Sequence, residues 1–392
     1  MLNPTSPNAA AARARQPRGM VKIMGSDGGQ PTPIVGWVRW EVEANGHYSA
    51  DTFRVTFAAQ LLPKDRNLAW MLSQSYLNVE ILAGFPSDPA VFDASQLTSL
   101  IIGRCDSAEF DPVHNSIELH GRDYTAALID SKTTDTWKNK SVAQVVQALA
   151  ARHGLTANVA ALPTKVGTYS DIDHVRFTDE RSEWDLLTWL AHETQCDVWV
   201  SGLTLNFQKQ EDPAQQDYYL LNWQAADGIS TFFPTGNVLD LRLAHNMTIA
   251  KGVQVVVRSW HGTFKNSFTA SYPGKPKTIK VGKATPVSNT TTYTYNIPGL
   301  DAAGCLQKAQ ALYNAIVKQE MSLEARLPAD NVLSVRTMVR LQGTGTAFDQ
   351  SYYPSRVTRV MSVEEGYAMS ISARNLSPSL DQPGEYGSPV QP

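Results

Sequence analysis

Only three cysteines occur in 392 residues, Cys105, Cys196 and Cys305. They are odd in number, far apart and never in C-x-x-C spacing, which argues against a disulfide framework or a thiolate zinc site. They read as buried thiols of a chain that folds in a reducing compartment. Long apolar runs are missing too: none approaches the ~18 residues that a membrane-spanning helix needs, so no stable membrane insertion is expected. Met1 to Met20 holds the alanines Ala9 to Ala12 and the arginines Arg13, Arg15 and Arg18 but no apolar stretch of signal-peptide length. Positive charge is in short supply, with 34 Lys and Arg against 37 Asp and Glu. A net charge of -3 offers no broad basic surface for holding nucleic acid tightly. The patterns G-x-x-x-x-G-K-[ST], G-x-S-x-G and H-E-x-x-H are absent, which removes the common routes to phosphate, acyl and zinc chemistry.

What is present is a globular composition, 42% hydrophobic and 18% charged. A length of 392 residues exceeds what one core ordinarily fills, ~250–300 residues, so two to four domains are expected. Residues 1–18 and 377–392 lack periodicity and are rich in Pro with Ala, Asn and Arg or with Gly, the composition of mobile arms.

Strands dominate the stretch between the arms. Ile34 to Val42 alternates over its second half, and Asp51 to Phe57 alternates with Phe53, Val55 and Phe57 on one face. Leu77 to Ile81, Leu100 to Arg104 and Ser116 to His120 follow, a spacing that suits a small barrel or sandwich. The period then changes. Ser141 to Gly154 has an N-cap serine, apolar residues at helical spacing and a terminating glycine. Ser182-Glu183-Trp184-Asp185 reads as a capping box with Asp in the Glu position, and Trp184, Leu187, Leu190 and Ala191 form a stripe. Cys196 to Val200, Ser201-Gly202 and Leu203 to Phe207 spell a β-hairpin. Strands return at Gly252 to Trp260, a helix is expected over Asp301 to Glu320 through Leu306, Ala309, Tyr313 and Ile316, and three strands close the chain: Leu333 to Leu341, Ser355 to Val363 and Tyr367 to Ala373. In the last, Tyr367, Met369, Ile371 and Ala373 share a face.

In this order the elements resemble the tail-hub family of contractile phages, the late-control and Mu-like hubs related to the trimeric base of type VI secretion spikes. The resemblance runs over roughly residues 30–375. Its strongest part is Phe177 to Ala191, similar to the family's S-x-W-D-x-L-x-x-L-A helix through Ser182, Trp184, Asp185, Leu187 and Leu190, with the hairpin behind it. Gly121 to Asp130, with Gly121 and Asp123, is similar to the family's G-x-D-x-T-x-x-L-x-D turn, and Val339 to Gly345 and Tyr353 to Met361 are similar to its closing strands. The resemblance implies an α+β, mainly β fold of two small β-barrels with an inserted α+β domain. Residues 19–120 would form the first barrel, 121–210 the middle domain and 211–376 the second barrel with one inserted helix. It implies a homotrimeric ring with no enzymatic task and no cofactor or metal, adapting a sixfold tail tube to a threefold spike. The partners implied are the tube, a separate spike protein, baseplate wedge proteins and the tape measure protein, with DNA passing transiently through the channel, in a virion tail assembled in the host cytoplasm. Secretion-spike relatives continue into further domains where this sequence has its tail after Arg374, hence the expectation of a separate spike chain.

Four constellations have residue types suited to chemistry. His192 and Cys196, four apart, have the spacing of a nucleophile pair, or of a core thiol beside a helix-end histidine. Asp171, Asp173 and His174 form an acidic cluster without the loop glycine of a calcium site. Glu320 and Glu324 are the carboxylate pair available to the alternative reading, a tail-associated peptidoglycan hydrolase, or are surface charges at a helix end. Trp37, Trp40, Trp184, Trp189 and Trp199 would line a sugar-binding face in a receptor-binding module, or fill cores and interfaces.

Overall fold

The computed structural model describes residues 16–46, 48–133, 137, 140–160, 181–194, 196–209, 217–226, 233–246, 253–261, 266–274, 291–297, 300–317 and 321–375. The chain opens with β1 (Arg18–Gly25), β2 (Thr32–Pro33), β3 (Trp37–Asn45), β4 (Thr52–Ala58), a short helix α1 (Leu68–Ser73), β5 (Leu77–Gly84), β6 (Thr98–Asp111) and β7 (Ser116–Asp123). Alternation decides their faces: Phe53, Val55 and Phe57 on β4 are 3%, 0% and 0% exposed, as the period-two pattern requires. The strand expected from Ile34 starts only at Trp37, because Gly36 sits at φ +90 and turns the backbone out of the extended region.

A smaller unit follows: α2 (Thr125–Asp130), β8 (Lys132–Thr133), α3 (Val142–Arg152), β9 (Thr156–Val159), β10 (Arg181–Ser182), α4 (Glu183–Thr194), β11 (Cys196–Ser201) and β12 (Thr204–Lys209). Helix α3 carries a full capping box between Ser141 and Gln144, and Gly154 beyond its end adopts φ +69. β11 and β12 form the expected hairpin, and β9 adds to β12 in parallel. Against this sheet the helices bury Leu128, Val145, Val146, Leu149, Leu187 and Leu190, a core of their own. Each such side chain contributes ~1.5–3 kcal/mol relative to exposure.

The chain then returns through β13 (Tyr218–Gln224), β14 (Thr235–Gly236) and β15 (Asp240–His245). A second outgrowth follows, β16 (Val253–His261), β17 (Asn266–Tyr272), β18 (Thr291–Asn296) and α5 (Ala302–Val317), before β19 (Met321–Pro328), β20 (Met338–Gln342), β21 (Ser351–Ser362) and β22 (Gly366–Asn375). The expected inserted helix thus comes with a three-stranded sheet and a third core of Val255, Val257, Tyr272, Cys305, Ala309 and Tyr313. Its buried stripe is Cys305, Ala309 and Tyr313; Leu306, expected on that stripe, is 42% exposed. The strand expected over Leu333 to Leu341 is shorter and begins at Met338. Upstream, Asp330 Oδ1 accepts from the Val332 and Leu333 amides and Ser334 and Thr337 bond each other, local bonds that compete with a ladder.

The first and last β-rich regions are joined edge to edge. β21 pairs antiparallel with β3 from Arg356↔Asn45 to Ser362↔Arg39, and with β22 on its other side. One sheet therefore runs β14-β13-β20-β21-β3-β4-β7-β6-β5-β1-β2, with β22, β19 and β15 branching from β21. Its single core takes Val21, Trp40, Phe57 and Leu119 from the first region and Leu323, Tyr352, Val357 and Met369 from the last. Trp40 and Tyr367 meet across the seam edge to face at 5.8 Å.

Candidate functional site

The residues singled out by sequence converge on the junction between the sheet and the smaller unit. β7 ends there, and Gly121 is required by close packing: a Cβ on it would stand 2.2 Å from the Arg104 carbonyl oxygen and 2.3 Å from the Phe53 ring. Two residues on, Asp123 is 7% exposed. Its carboxylate accepts from the Thr125 amide at 3.1 Å and the Thr125 hydroxyl at 2.8 Å, starting α2. Its own amide donates to the Asp51 carbonyl oxygen at 2.9 Å. Asp51, at the start of β4, accepts from the Asn45 amide at 2.7 Å. Burial, with Asp51 as a second cause, pushes the Asp123 carboxyl up to about 7; burial, with Glu43, pushes Asp51 up to about 6. Arg122 points elsewhere, to Asp106 at 2.7 Å and Asp130 at 3.0 Å, which ties the end of α2 to β6.

Helix α4 is fixed by the motif that marked it. The Asp185 amide donates to Ser182 Oγ at 3.0 Å and the Ser182 amide to Asp185 Oδ2 at 3.1 Å, a capping box closed by Asp. Leu187 and Leu190 are 0% and 2% exposed in the smaller core. Trp184 reaches out of the unit, its indole Nε1 donating to the Tyr48 carbonyl oxygen at 2.6 Å. Tyr48 itself holds φ 65, rare for a residue with a side chain, and its ring packs on the smaller core. Glu183, 1% exposed, takes His153 Nε2 at 2.5 Å and the Arg152 guanidinium, locking the end of α3 to the start of α4.

A second clasp was not read from the sequence. Arg336, from the segment before β20, lies over the Trp199 ring at 3.2 Å and beside Asp197 at 3.6 Å, both on β11. No local pattern marks it, since the partners are more than a hundred positions apart. The junction is thus a fastening, with the first β-region gripping α4 through Tyr48 and the last gripping β11 through Arg336.

Most members of the catalytic constellations lie outside the described residues. Cys196 opens β11, is 0% exposed and lies in the smaller core; the His192 side chain falls outside the described residues. Asp171, Asp173, His174 and Glu320 also fall outside them. Glu324, expected at a helix end, is an exposed residue of β19 opposite Arg242 and Ser372. The described helix runs to Val317, and the alternation of Leu323, Ala325 and Leu327 makes Met321–Pro328 a strand. Among the described residues no group of three or more His, Cys, Asp or Glu is placed to hold a metal ion, and no helix is long and apolar enough to cross a membrane. The five tryptophans make no common face: Trp40 and Trp184 are buried at 0% and 5%, Trp37 and Trp189 pack against different cores, and Trp199 lies under Arg336. Of the cysteines, Cys305 is buried and Cys105 half-buried, its thiol pushed up to about 11 by burial.

This fold is shared with solved structures of proteins described as tail proteins. Among solved structures the chain is similar to the tail protein from Neisseria meningitidis MC58, with TM-score 0.63 and 13% identity over 91% of this chain and 96% of that one. The 43 kDa tail protein of prophage MuSo2 from Shewanella oneidensis matches with TM-score 0.58 and 12% identity over 91% and 96%. Prophage tail protein gp18 from Listeria monocytogenes EGD-e matches with 0.55 and 9% over 92% and 95%. No family model and no curated protein matches the sequence.

Proposed function

We propose that this chain is the structural hub of a contractile tail baseplate, three copies closing into a ring that adapts a sixfold tube to a threefold spike. The observation that carries this reading is the fold, shared over more than nine-tenths of the chain with proteins described as tail proteins. In this reading the two halves of the long sheet curl as two barrels fused along β3 and β21, and three subunits present six similar faces. A heterologous contact whose rotation closes gives a ring without free strand edges. The motif residues Gly121, Asp123, Ser182, Trp184, Asp185, Leu187 and Leu190 have a structural role, holding the smaller unit on the sheet. Partners would be the tube, a separate spike, wedge and tape measure proteins, in a tail assembled in the host cytoplasm.

DNA would pass through the ring without adhering. Compatible with this is the outer face of β3, β21, β22 and β19, a shallow trough of about 430 Å³ in which arginines are matched by carboxylates. Arg39 and Arg326 meet Glu365, each at 3.2 Å, and Arg356 meets Glu43 at 3.5 Å. A neutral lattice of this kind binds phosphate weakly, since retention on DNA scales with uncompensated cations. Imaging of the assembled particle, with the mass of the purified assembly, tests the proposal: copies in a multiple of three on the long axis are expected. A position off that axis, or a stoichiometry not divisible by three, would overturn it.

A further inference from the structure

The sheet of the second outgrowth has one face on α5; on the other, Val256 and Ser271 are buried, and the described residues toward the Trp260 end are exposed. Residues directly opposite one another point the same way. The register therefore places Arg258 between Thr269 and Asn296, and Trp260 beside Ser267. All five are exposed, as is Thr294 on the same face, and Trp260 is 58% exposed. Arg258 and Trp260 are two positions apart on β16, ~7 Å along the strand. Among the described residues of this face Arg258 is the single charged group, and no carboxylate accompanies it.

We propose that this face binds an anionic saccharide. The indole offers a flat apolar surface to the C–H face of a sugar ring, and the Ser267, Thr269 and Thr294 hydroxyls and the Asn296 amide offer both donors and acceptors to its hydroxyl groups. The Arg258 guanidinium offers a planar fork that matches an acidic group bidentately. Among the described residues of the face this one cation sets the sign of the ligand. A protein partner fits less well, because hot-spot cores gather several apolar anchors and this surface has one. Single-stranded nucleic acid fits less well too, because following its backbone takes a row of cations. The proposal is independent of ring formation.

Titration of the full chain with hexagalacturonate, against cellohexaose as the neutral counterpart, tests it. The acidic oligosaccharide is expected to bind at millimolar concentration or below and at least about tenfold more tightly than the neutral one. Trp260→Ala and Arg258→Gln should each weaken it about tenfold, with unchanged thermal melting because both side chains are exposed. Absence of binding, equal affinity for the neutral sugar, affinity unchanged in both variants, or displacement by an equimolar single-stranded oligodeoxynucleotide would each overturn it.

Discussion

Asp123→Asn is the perturbation that most directly tests how the junction is held. The carboxyl is buried beside Asp51, and the guanidinium of its chain neighbour Arg122 is committed to Asp106 and Asp130. Its folded-state pKa, about 7, lies above the ordinary 3.8. For a carboxyl shifted this way the folded state binds more protons than the unfolded one, so the stability it lends is complete below the ordinary value and is lost as pH rises through the folded value. The gap between 3.8 and about 7, at ~1.4 kcal/mol for each pH decade, sets an upper bound of roughly 4 kcal/mol lost between about pH 4 and pH 8. The amide keeps an acceptor for the Thr125 N–H and turns a donor toward the Thr125 hydroxyl, and it never ionises. Urea denaturation of both proteins at pH 4 to 8 should therefore find the variant nearly equal to the parent at low pH and more stable at pH 8, by an amount on the order of 1–4 kcal/mol. Equal pH dependence in the two proteins, or a variant less stable at pH 8, would refute the reasoning that an uncompensated carboxylate is buried there.

Trp184→Phe should cost about 1–3 kcal/mol in chemical denaturation, since it keeps most of the ring but leaves the Tyr48 carbonyl without its donor; proteolysis between the sheet and the smaller unit should rise with it. Gly121→Ala should destabilise by more than about 1–3 kcal/mol, because backbone as well as a ring stands within 2.3 Å of the new methyl; a melting temperature within a degree of the parent would contradict that packing.

The parts legible in the sequence are those whose physics closes within a few residues. Ser182 and Asp185 cap a helix by bonds spanning three positions, Phe53, Val55 and Phe57 share a face because a strand repeats every two, and Ser201-Gly202 turns a hairpin whose register it sets. Their order along the chain was enough to mark a tail-protein fold. Misreadings arose where local pattern met a distant partner. Leu306 has helical spacing, yet the sheet that covers α5 leaves it in solvent, and Glu324 follows a helix in sequence but is drawn into β19 by β15 and β22.

Tertiary structure alone decided the rest. Trp184 finds the Tyr48 carbonyl across 136 positions, Arg356 meets Glu43 across 313, and β3 becomes the neighbour of β21 only when both ends of the chain are in place. The burial of Asp123 and the exposure of Trp260 depend equally on what is packed around them. A sequence states each residue's preference for water or for a particular backbone angle; which preferences are overridden depends on contacts whose loop-closure cost the whole fold must recover.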